Sequence, residues 1–412
     1  MRIADCGTNF FRRRAYRRSI FYHGKCGVRP RYSLSNIDFN LLLFRTFTTM
    51  KPENTLNNLL RDAVEKHGIA GGGLLLFKNG QTGTLLAEGF ADREKRLAAG
   101  PDSIWHWASV TKTFTSVAIL RLASQQRLKA DEPLIQYIPE LAEVYNPYGP
   151  MEAITIRHAL SHTSGFRNPT WPWGGSEPWH PFEPTRWEQL VAMMPYTRIH
   201  FEPGSRYGYS NPAFIFLGLI IERITGDKFE SHISDHIFAP LGMSSAYFDY
   251  TPEHLQPLRA NSYYTDDKGT LHAHGPEFNT GITVANGGMN ASLTDLGKWV
   301  RFLSGAEPNP DILDQAGLQE MFKPVISIPE SGRTASPDVP EEVTCGLFRF
   351  IYGDRVFFGH TGEQKGFRVF VVFDPAEKSG AAFAFNTALS VASGPTTETL
   401  RAGIFGEVLK LL

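Results

Sequence analysis

Beyond Lys51 the apolar positions fall into periods that switch between helix and strand. Leu56, Leu59, Leu60, Ala63 and Val64 recur at helical spacing and Gly68 stops the run, which predicts a first helix. Gly73 to Lys78 and Thr84 to Phe90 then read as two strands around Asn79-Gly80, a dipeptide that takes φ > 0 readily and so favours a tight hairpin. The far end mirrors this pattern. Leu347 to Tyr352, Arg355 to Phe358, Phe367 to Phe373 and Ala381 to Asn386 alternate or run apolar between Gly and Asp turns, and Leu400, Ile404, Val408 and Leu411 share one face of a last helix.

The stretch between is helical in period. Phe114, Val117, Ala118 and Leu122 form one stripe, and Phe214, Leu217, Ile220, Ile221 and Ile224 form another, ended by Gly226. A third helix is expected to start at Ser292, with Asp295 completing a capping box, and to bury Leu293, Leu296, Val300 and Leu303. Residues 166 to 203 carry Trp171, Trp173, Trp179, Phe182, Trp187 and Tyr196 among many prolines and are expected to be a long aromatic loop beside a site. The predicted architecture is a two-lobed α/β module, α+β in class. An antiparallel sheet from both chain termini is flanked by the terminal helices, and a mainly helical lobe fills the middle. Residues 1–50 form a basic tail and 51–412 a single domain, with the sheet lobe at about 51–108 and 305–412 and the helical lobe at about 109–304.

Composition narrows the function more than the fold. At 412 residues, 42% hydrophobic and 20% charged, the chain can bury a large core. A net charge of −1 gives no basic field for a polyanion, so nucleic acid is not expected as a partner and the substrate is expected to be small. No apolar run approaches the roughly 20 residues that span a bilayer, and Asn40 to Phe44 is too short for a signal-peptide core. Cys6, Cys26 and Cys345 make no disulfide framework. Residues 1–50 hold ten Arg and Lys against Asp5 and Asp38, a net of +8, which leaves −9 on the remainder. With Phe10, Phe11, Tyr16, Ile20 and Phe21 interleaved, this stretch reads either as a mitochondrial presequence or as a disordered extension; a cytoplasmic protein is the default expectation.

Chemistry concentrates at Ser109 and Lys112, an S-x-x-K pair at the start of the Phe114 helix, which places both side chains on one helical face. A serine hydroxyl needs a base to become a nucleophile, and a lysine amine in contact serves if it is neutral. Neutrality at pH 7 from a free pKa of about 10.4 costs roughly 4 to 5 kcal/mol, so burial or a neighbouring cation has to supply it. With Tyr209-Ser210-Asn211 and His360-Thr361-Gly362 downstream, and with Leu160-Ser161-His162-Thr163-Ser164-Gly165 and Gly287-Gly288-Met289 as framework segments, the chain resembles the serine β-lactamase and penicillin-recognising family. The branch it resembles holds class C β-lactamases, D-Ala-D-Ala carboxypeptidases, D-aminopeptidases and family VIII esterases, and the resemblance covers about residues 51 to 412.

That resemblance implies a β-lactamase/transpeptidase-like fold and an acyl-enzyme mechanism. Ser109 is then the nucleophile, Lys112 and Tyr209 shuttle the proton, and Asn211 positions Lys112 and the substrate. His360, Thr361 and Gly362 border the substrate, and the backbone N–H groups of Ser109 and Glu363 receive the oxyanion. No cofactor and no metal are expected. His360 stands where many relatives carry lysine, and a neutral imidazole lacks the permanent charge that would capture a substrate carboxylate. Esterase activity on small esters is therefore expected to exceed peptidase or β-lactamase activity, with a non-catalytic receptor on the same fold as the remaining alternative.

Simpler roles compete at several of these positions. Asn211 before Pro212 also reads as a helix N-cap, and Tyr209 as a packed aromatic. Lys365 reads as a substitute cation or a solvated lysine. His158 and His162 stand four apart, but Ala159 replaces the glutamate of a zinc helix. His272 with His274, and His232 with His236, read as surface histidines. No G-x-S-x-G elbow is present.

Overall fold

The computed structural model describes residues 52–166, 184–276, 279–329 and 336–412. Helix α1 (Pro52–Glu65) leads into β1 (Gly71–Lys78) and β2 (Gln81–Asp92), which pair antiparallel around the expected Asn79-Gly80 turn, with φ of +48° and +73° at its two residues. Strands are numbered in chain order, and the large sheet runs β3 (Leu97–Ala98), β2, β1, β14 (Ser379–Phe385), β13 (Phe367–Asp374), β12 (Arg355–Gln364), β11 (Phe348–Tyr352), β10 (Glu342–Val343), β9 (Ile326–Ser327). The two ends of the chain meet where β1 lies antiparallel to β14, from Gly72 opposite Phe385 to Phe77 opposite Gly380. This is the antiparallel sheet from both termini that the periodicity predicts.

Both faces of its centre are covered, which explains why β1 and β13 read as continuous apolar runs rather than alternations. Leu74, Leu76, Phe370 and Phe383 face a core shared with Leu56 and Leu60 of α1 and Phe405 and Val408 of the last helix, Thr397–Leu411. Leu75, Phe77, Val369 and Val371 face the opposite core with Leu293, Leu296 and the helices of the middle of the chain. Within that second core lie α2 (Thr111–Ser124), α3 (Asn211–Thr225) and α4 (Leu293–Leu303).

Two small sheets that the helical periodicity does not predict are also present. One joins β4 (Ile104–His106), β8 (Met289–Ser292) and β5 (Tyr247–Phe248), and the other joins β15 (Thr387–Ala388), β6 (Tyr263–Thr265) and β7 (Leu271–Ala273). Strands of two to four residues are too short for period-2 alternation to register.

Three local expectations are corrected. Ser292 caps α4 by accepting the Asp295 N–H at 3.2 Å, but the Asp295 carboxylate accepts the Ser245 N–H and O–H at 2.7 and 2.6 Å instead of completing a capping box. Ser210, not Asn211, caps α3, accepting the Ala213 N–H at 3.3 Å, so Asn211 is the first helical residue and Pro212 the second. Residues 166 to 203 are not all loop, because Trp187–Met193 is helical and Trp187 packs edge-on to Phe216. Trp171, Trp173, Trp179 and Phe182 lie outside the described residues. Among the described residues no helix is long and apolar enough to cross a membrane.

Candidate active site

Ser109 lies where the small sheet hands over to α2. Strand β4 pairs with β8, Ile104 opposite Ser292 through His106 opposite Asn290, and the Trp107 N–H continues the ladder by donating to Met289 O at 2.9 Å. Ala108 then takes φ +45° and a 3₁₀ turn, Ala108–Val110, delivers the chain into α2. A left-handed alanine is disfavoured sterically, so the surrounding bonds must hold it there. The start of α2 is held by the same segment, since Thr111 Oγ1 accepts the Met289 N–H at 3.1 Å and Thr115 Oγ1 donates to Ala285 O at 2.6 Å.

Lys112 follows one helical turn after Ser109, and Nζ donates to Ser109 Oγ at 3.0 Å and to the Asn286 carbonyl at 2.7 Å. Its side chain is fully buried, with the rings of Tyr209 and Phe214 centred 5.0 and 5.6 Å from Nζ. Among the described residues no carboxylate pairs with it, and burial holds its pKa well below the usual lysine value. The amine is therefore prepared to be neutral.

Tyr209 reaches the same oxygen from the other side, its hydroxyl donating to Ser109 Oγ at 2.9 Å. Burial raises its pKa, so the phenol stays protonated. The residue sits in the segment before α3, and His162 grips that segment on both sides of it. The His162 carbonyl accepts the Gly208 N–H at 2.8 Å, and its Nδ1 accepts the Ser210 N–H at 3.1 Å. The imidazole lies 4.3 Å from the Tyr209 ring, centroid to centroid, and His162 itself holds φ +55°. Sequence reasoning placed His162 only in a framework segment and in a rejected zinc pair. Its grip on Tyr209 depends on its carbonyl and its ring nitrogen meeting backbone N–H groups on either side of Tyr209, for which spacing gives no signal.

His360, Thr361 and Gly362 lie inside β12, not merely beside a strand, opposite Val371, Phe370 and Val369 of β13. Residues 360–364 extend past the end of β11, whose pairing stops at Gly359, so this edge of β12 is left to face the Ser109 turn. A Cβ on Gly362 would collide with the Trp107 carbonyl oxygen and come within 3.3 Å of Ala108 Cβ, so only glycine lets the two segments approach this closely. At the hairpin after β12, Gln364 and Phe367 flank the two-residue turn and exchange hydrogen bonds. Glu363, paired with Arg368, is then a non-bonded position whose N–H points to the open edge. The Glu363 carboxylate turns away to Arg401, 2.7 Å from its guanidinium.

His360 is buried, and desolvation first, then repulsion from Lys112, pushes its pKa down to about 3. Its Nδ1–H donates to the Thr361 carbonyl at 2.6 Å, which leaves Nε2 as an acceptor with no partner among the described residues. The Asn286 carbonyl leaves no residue-type signal in the sequence, because it is a backbone acceptor; the adjacent Gly287-Gly288-Met289 is its one trace there.

The rival constellations separate. His158 Nδ1 accepts the Thr155 N–H in a capping box, at 3.2 Å, while the lone pair of His162 Nδ1 is committed to Ser210. His272 and His274 pack on Tyr264, and His272 lies 3.0 Å from Asp266, which precedes rather than follows it. Cys345 is buried and makes no disulfide among the described residues.

Comparison with known proteins gives the family of this chain. A family model described as Beta-lactamase matches residues 56–404. Protein flp of Staphylococcus aureus (strain MW2) is 26% identical over 332 residues, covering 81% of this chain and 62% of that protein. The D-aminopeptidase of Brucella anthropi is 26% identical over 320 residues, covering 76% of this chain and 56% of that enzyme. The chain thus spans less than two thirds of the length of these curated relatives. Among solved structures, the octameric penicillin-binding protein homologue from Pyrococcus abyssi superposes with a TM-score of 0.72 at 24% identity, covering 87% of this chain and 77% of that one. The D-amino acid amidase from Ochrobactrum anthropi SV3 gives 0.69 at 22% identity, covering 88% and 99%; at such identities the likeness is one of fold. Because the family match takes in most of the described chain and contains Ser109, Lys112, Tyr209 and His360, this protein belongs to the beta-lactamase family.

Proposed function

We propose that the protein is a serine hydrolase that transfers an acyl group from a small, uncharged ester or amide to Ser109 and then to water. The observation that carries this is the convergence of Lys112 Nζ and Tyr209 OH on Ser109 Oγ, at 3.0 and 2.9 Å. With the amine neutral, the same separation lets its lone pair accept the Ser109 proton while one N–H stays on the Asn286 carbonyl. Oγ forms its bond to the substrate carbonyl carbon, and the negative charge on the carbonyl oxygen meets the backbone N–H groups of Ser109 and Glu363. Tyr209 and Lys112 pass the proton to the leaving group, and water repeats the sequence to free the acid. Asn211, at the first turn of α3, is assigned to orienting Lys112 and substrate; Thr361 and Gly362 line the open edge of β12.

Substrate class follows from His360. A buried imidazole that stays neutral at physiological pH supplies no charge for a carboxylate, so short acyl esters come first and β-lactams and D-Ala-D-Ala peptides come last. The D-aminopeptidase and D-amino acid amidase relatives favour a second substrate class, D-amino acid amides, which likewise lack a carboxylate at the scissile end. Side-by-side rates on a nitrophenyl butyrate, a D-phenylalanine amide, a chromogenic cephalosporin and a D-Ala-D-Ala peptide test the order. A tenfold preference for either of the last two, roughly 1.4 kcal/mol of transition-state stabilisation, overturns it. Covalent labelling by a fluorophosphonate, lost in Ser109→Ala, separates an enzyme from a receptor on the same fold. We assign the protein to the cytoplasm, and fusing residues 1–50 to a fluorescent reporter tests whether that segment redirects it to mitochondria.

A further inference from the structure

A cluster of metal-ligating side chains stands apart from the site at Ser109. Helix α3 ends at Gly226, in the left-handed conformation at φ +82°, and the chain turns through Asp227 into a short helix, Phe229–Ile233, that continues as a π turn over Ser234–Phe238. The turn places Asp227 beside His232 and His236, the pair that the sequence alone suggests are surface histidines. One donor atom from each of the three lies within 4.8 Å of the other two. His232 Nδ1 stands 3.8 Å from Asp227 Oδ2, and the two imidazoles are 4.6 Å apart between centroids.

His232 is the part of the cluster that packing alone does not explain. It is 2% exposed, and among the described residues neither ring nitrogen has a hydrogen-bond partner. A buried imidazole normally satisfies at least one nitrogen, because an unpaired buried polar group costs about 1–3 kcal/mol. The 3.8 Å gap to Asp227 is too long for a hydrogen bond but suits two donors sharing a cation. Ligands about 2.0 to 2.1 Å from a tetrahedral ion lie roughly 3.3 Å apart, so closing from 4.8 Å needs only side-chain rotation. Asp227, 56% exposed in its side chain, can make that rotation and provides a path of entry.

We propose that Asp227, His232 and His236 bind a divalent transition-metal ion, with Zn²⁺ the best match. Two imidazoles and one carboxylate are borderline donors that suit zinc and not calcium or magnesium, and a fourth position is left for water. The ion would clamp the C-terminal turn of α3 to the helix and π turn that follow. π turns of this kind recur at functional sites. One charge opposes it: Arg121 repels a cation at His232. Its Nε donates to the Asp311 carbonyl at 3.2 Å, and the Asp311 carboxylate offsets its charge. Arg121 lies nine residues beyond Lys112 along α2, about 14 Å at 1.5 Å per residue, so the ion's role is structural and not chemical.

The test uses the full chain, stripped with a chelator and titrated with ZnCl₂ against a chromogenic chelator, with thermal unfolding as a second readout. Wild type is expected to take up one equivalent and to gain in Tm. Asp227→Asn and His236→Gln change groups outside the buried core and are each expected to weaken binding at least tenfold and abolish the Tm gain. Co²⁺ in place of Zn²⁺ should give visible absorption bands in wild type that both variants lose. Failure of wild type to bind, or equally tight binding by both variants, overturns the proposal; the second result would put the metal elsewhere in the chain.

Discussion

At the scale of single residues, Ser109 is chemically ordinary and Lys112 is not. Replacing Ser109 by Ala removes the oxygen proposed to be acylated and is expected to abolish turnover with the unfolding midpoint unchanged; wild-type rates in that variant would defeat the mechanism. Lys112→Met keeps the buried length without the amine, and activity is expected to fall by about 10² to 10⁴ as proton transfer is lost. Stability should move the other way. Burial holds the native pKa of Lys112 below the unfolded value, so between the two the unfolded chain binds more protons than the native chain, and wild type is penalised. The variant is therefore expected to be the more stable at pH 7, by a margin that narrows as pH rises toward 10.5, and denaturant unfolding at several pH values reads it. The same shift sets the pH profile of kcat/KM. The rate rises as Lys112 loses its proton below the usual lysine range, and no basic limb follows through pH 9, since Tyr209 is shifted upward. A falling rate between pH 7 and 9 would assign the base wrongly.

At the scale of elements, the site is an agreement between three segments that are remote in sequence. The 3₁₀ turn at Ser109, the segment before α3 and the free edge of β12 are each aligned by backbone contacts and not by the reacting groups. His162 is the clearest case. His162→Ala should leave Ser109, Lys112 and Tyr209 chemically intact but release Tyr209, so kcat is expected to drop tenfold or more with KM little changed. A purely structural role would lower Tm and leave the kcat of the folded fraction untouched. Gly362 makes the same argument from β12. Gly362→Ala drives a Cβ into the Trp107 carbonyl, and since neither backbone can yield cheaply, an overpacking cost of about 1–3 kcal/mol and loss of turnover are expected together. Circular dichroism of the variant checks that the sheet survives.

At the scale of the whole molecule, the buried imidazoles make the fold sensitive to acid. His106, held between Asn290 and Gln364 at 3.0 and 2.9 Å, has its pKa lowered to about 4, first by burial. Burial lowers His360 to about 3 and takes His162 well below 6.5. Each stays neutral in the native state while the unfolded chain takes up its proton near pH 6.5, so the stability they confer is complete above that value. It is lost as pH falls toward the native pKa, at about 1.4 kcal/mol per pH unit for each group. These groups, with buried His232 shifted in the same direction, predict stability that falls steeply between pH 6 and 5, in a window where exposed carboxylates are still ionised. A urea-unfolding free energy that is flat from pH 7 to 5 would contradict this.

Local physics was sufficient for much of the fold. Strands β1, β2, β13 and β14 and the terminal helices are legible because each carries a long, regular apolar period, and Asn79-Gly80 because its turn is set by two residues' own torsions. The Ser109–Lys112 pair is legible from its spacing on one helical face, whereas Tyr209 is legible only through the family resemblance. The reach of β12 through His360 to Gln364, the carbonyl of Asn286 on Lys112, the grip of His162 on Tyr209 and the turn of Asp295 toward Ser245 are not. Each depends on which backbone or side chain arrives from a distant part of the chain, and burial, which lowers the pKa of Lys112 and His360, exists only once the two lobes have closed around them.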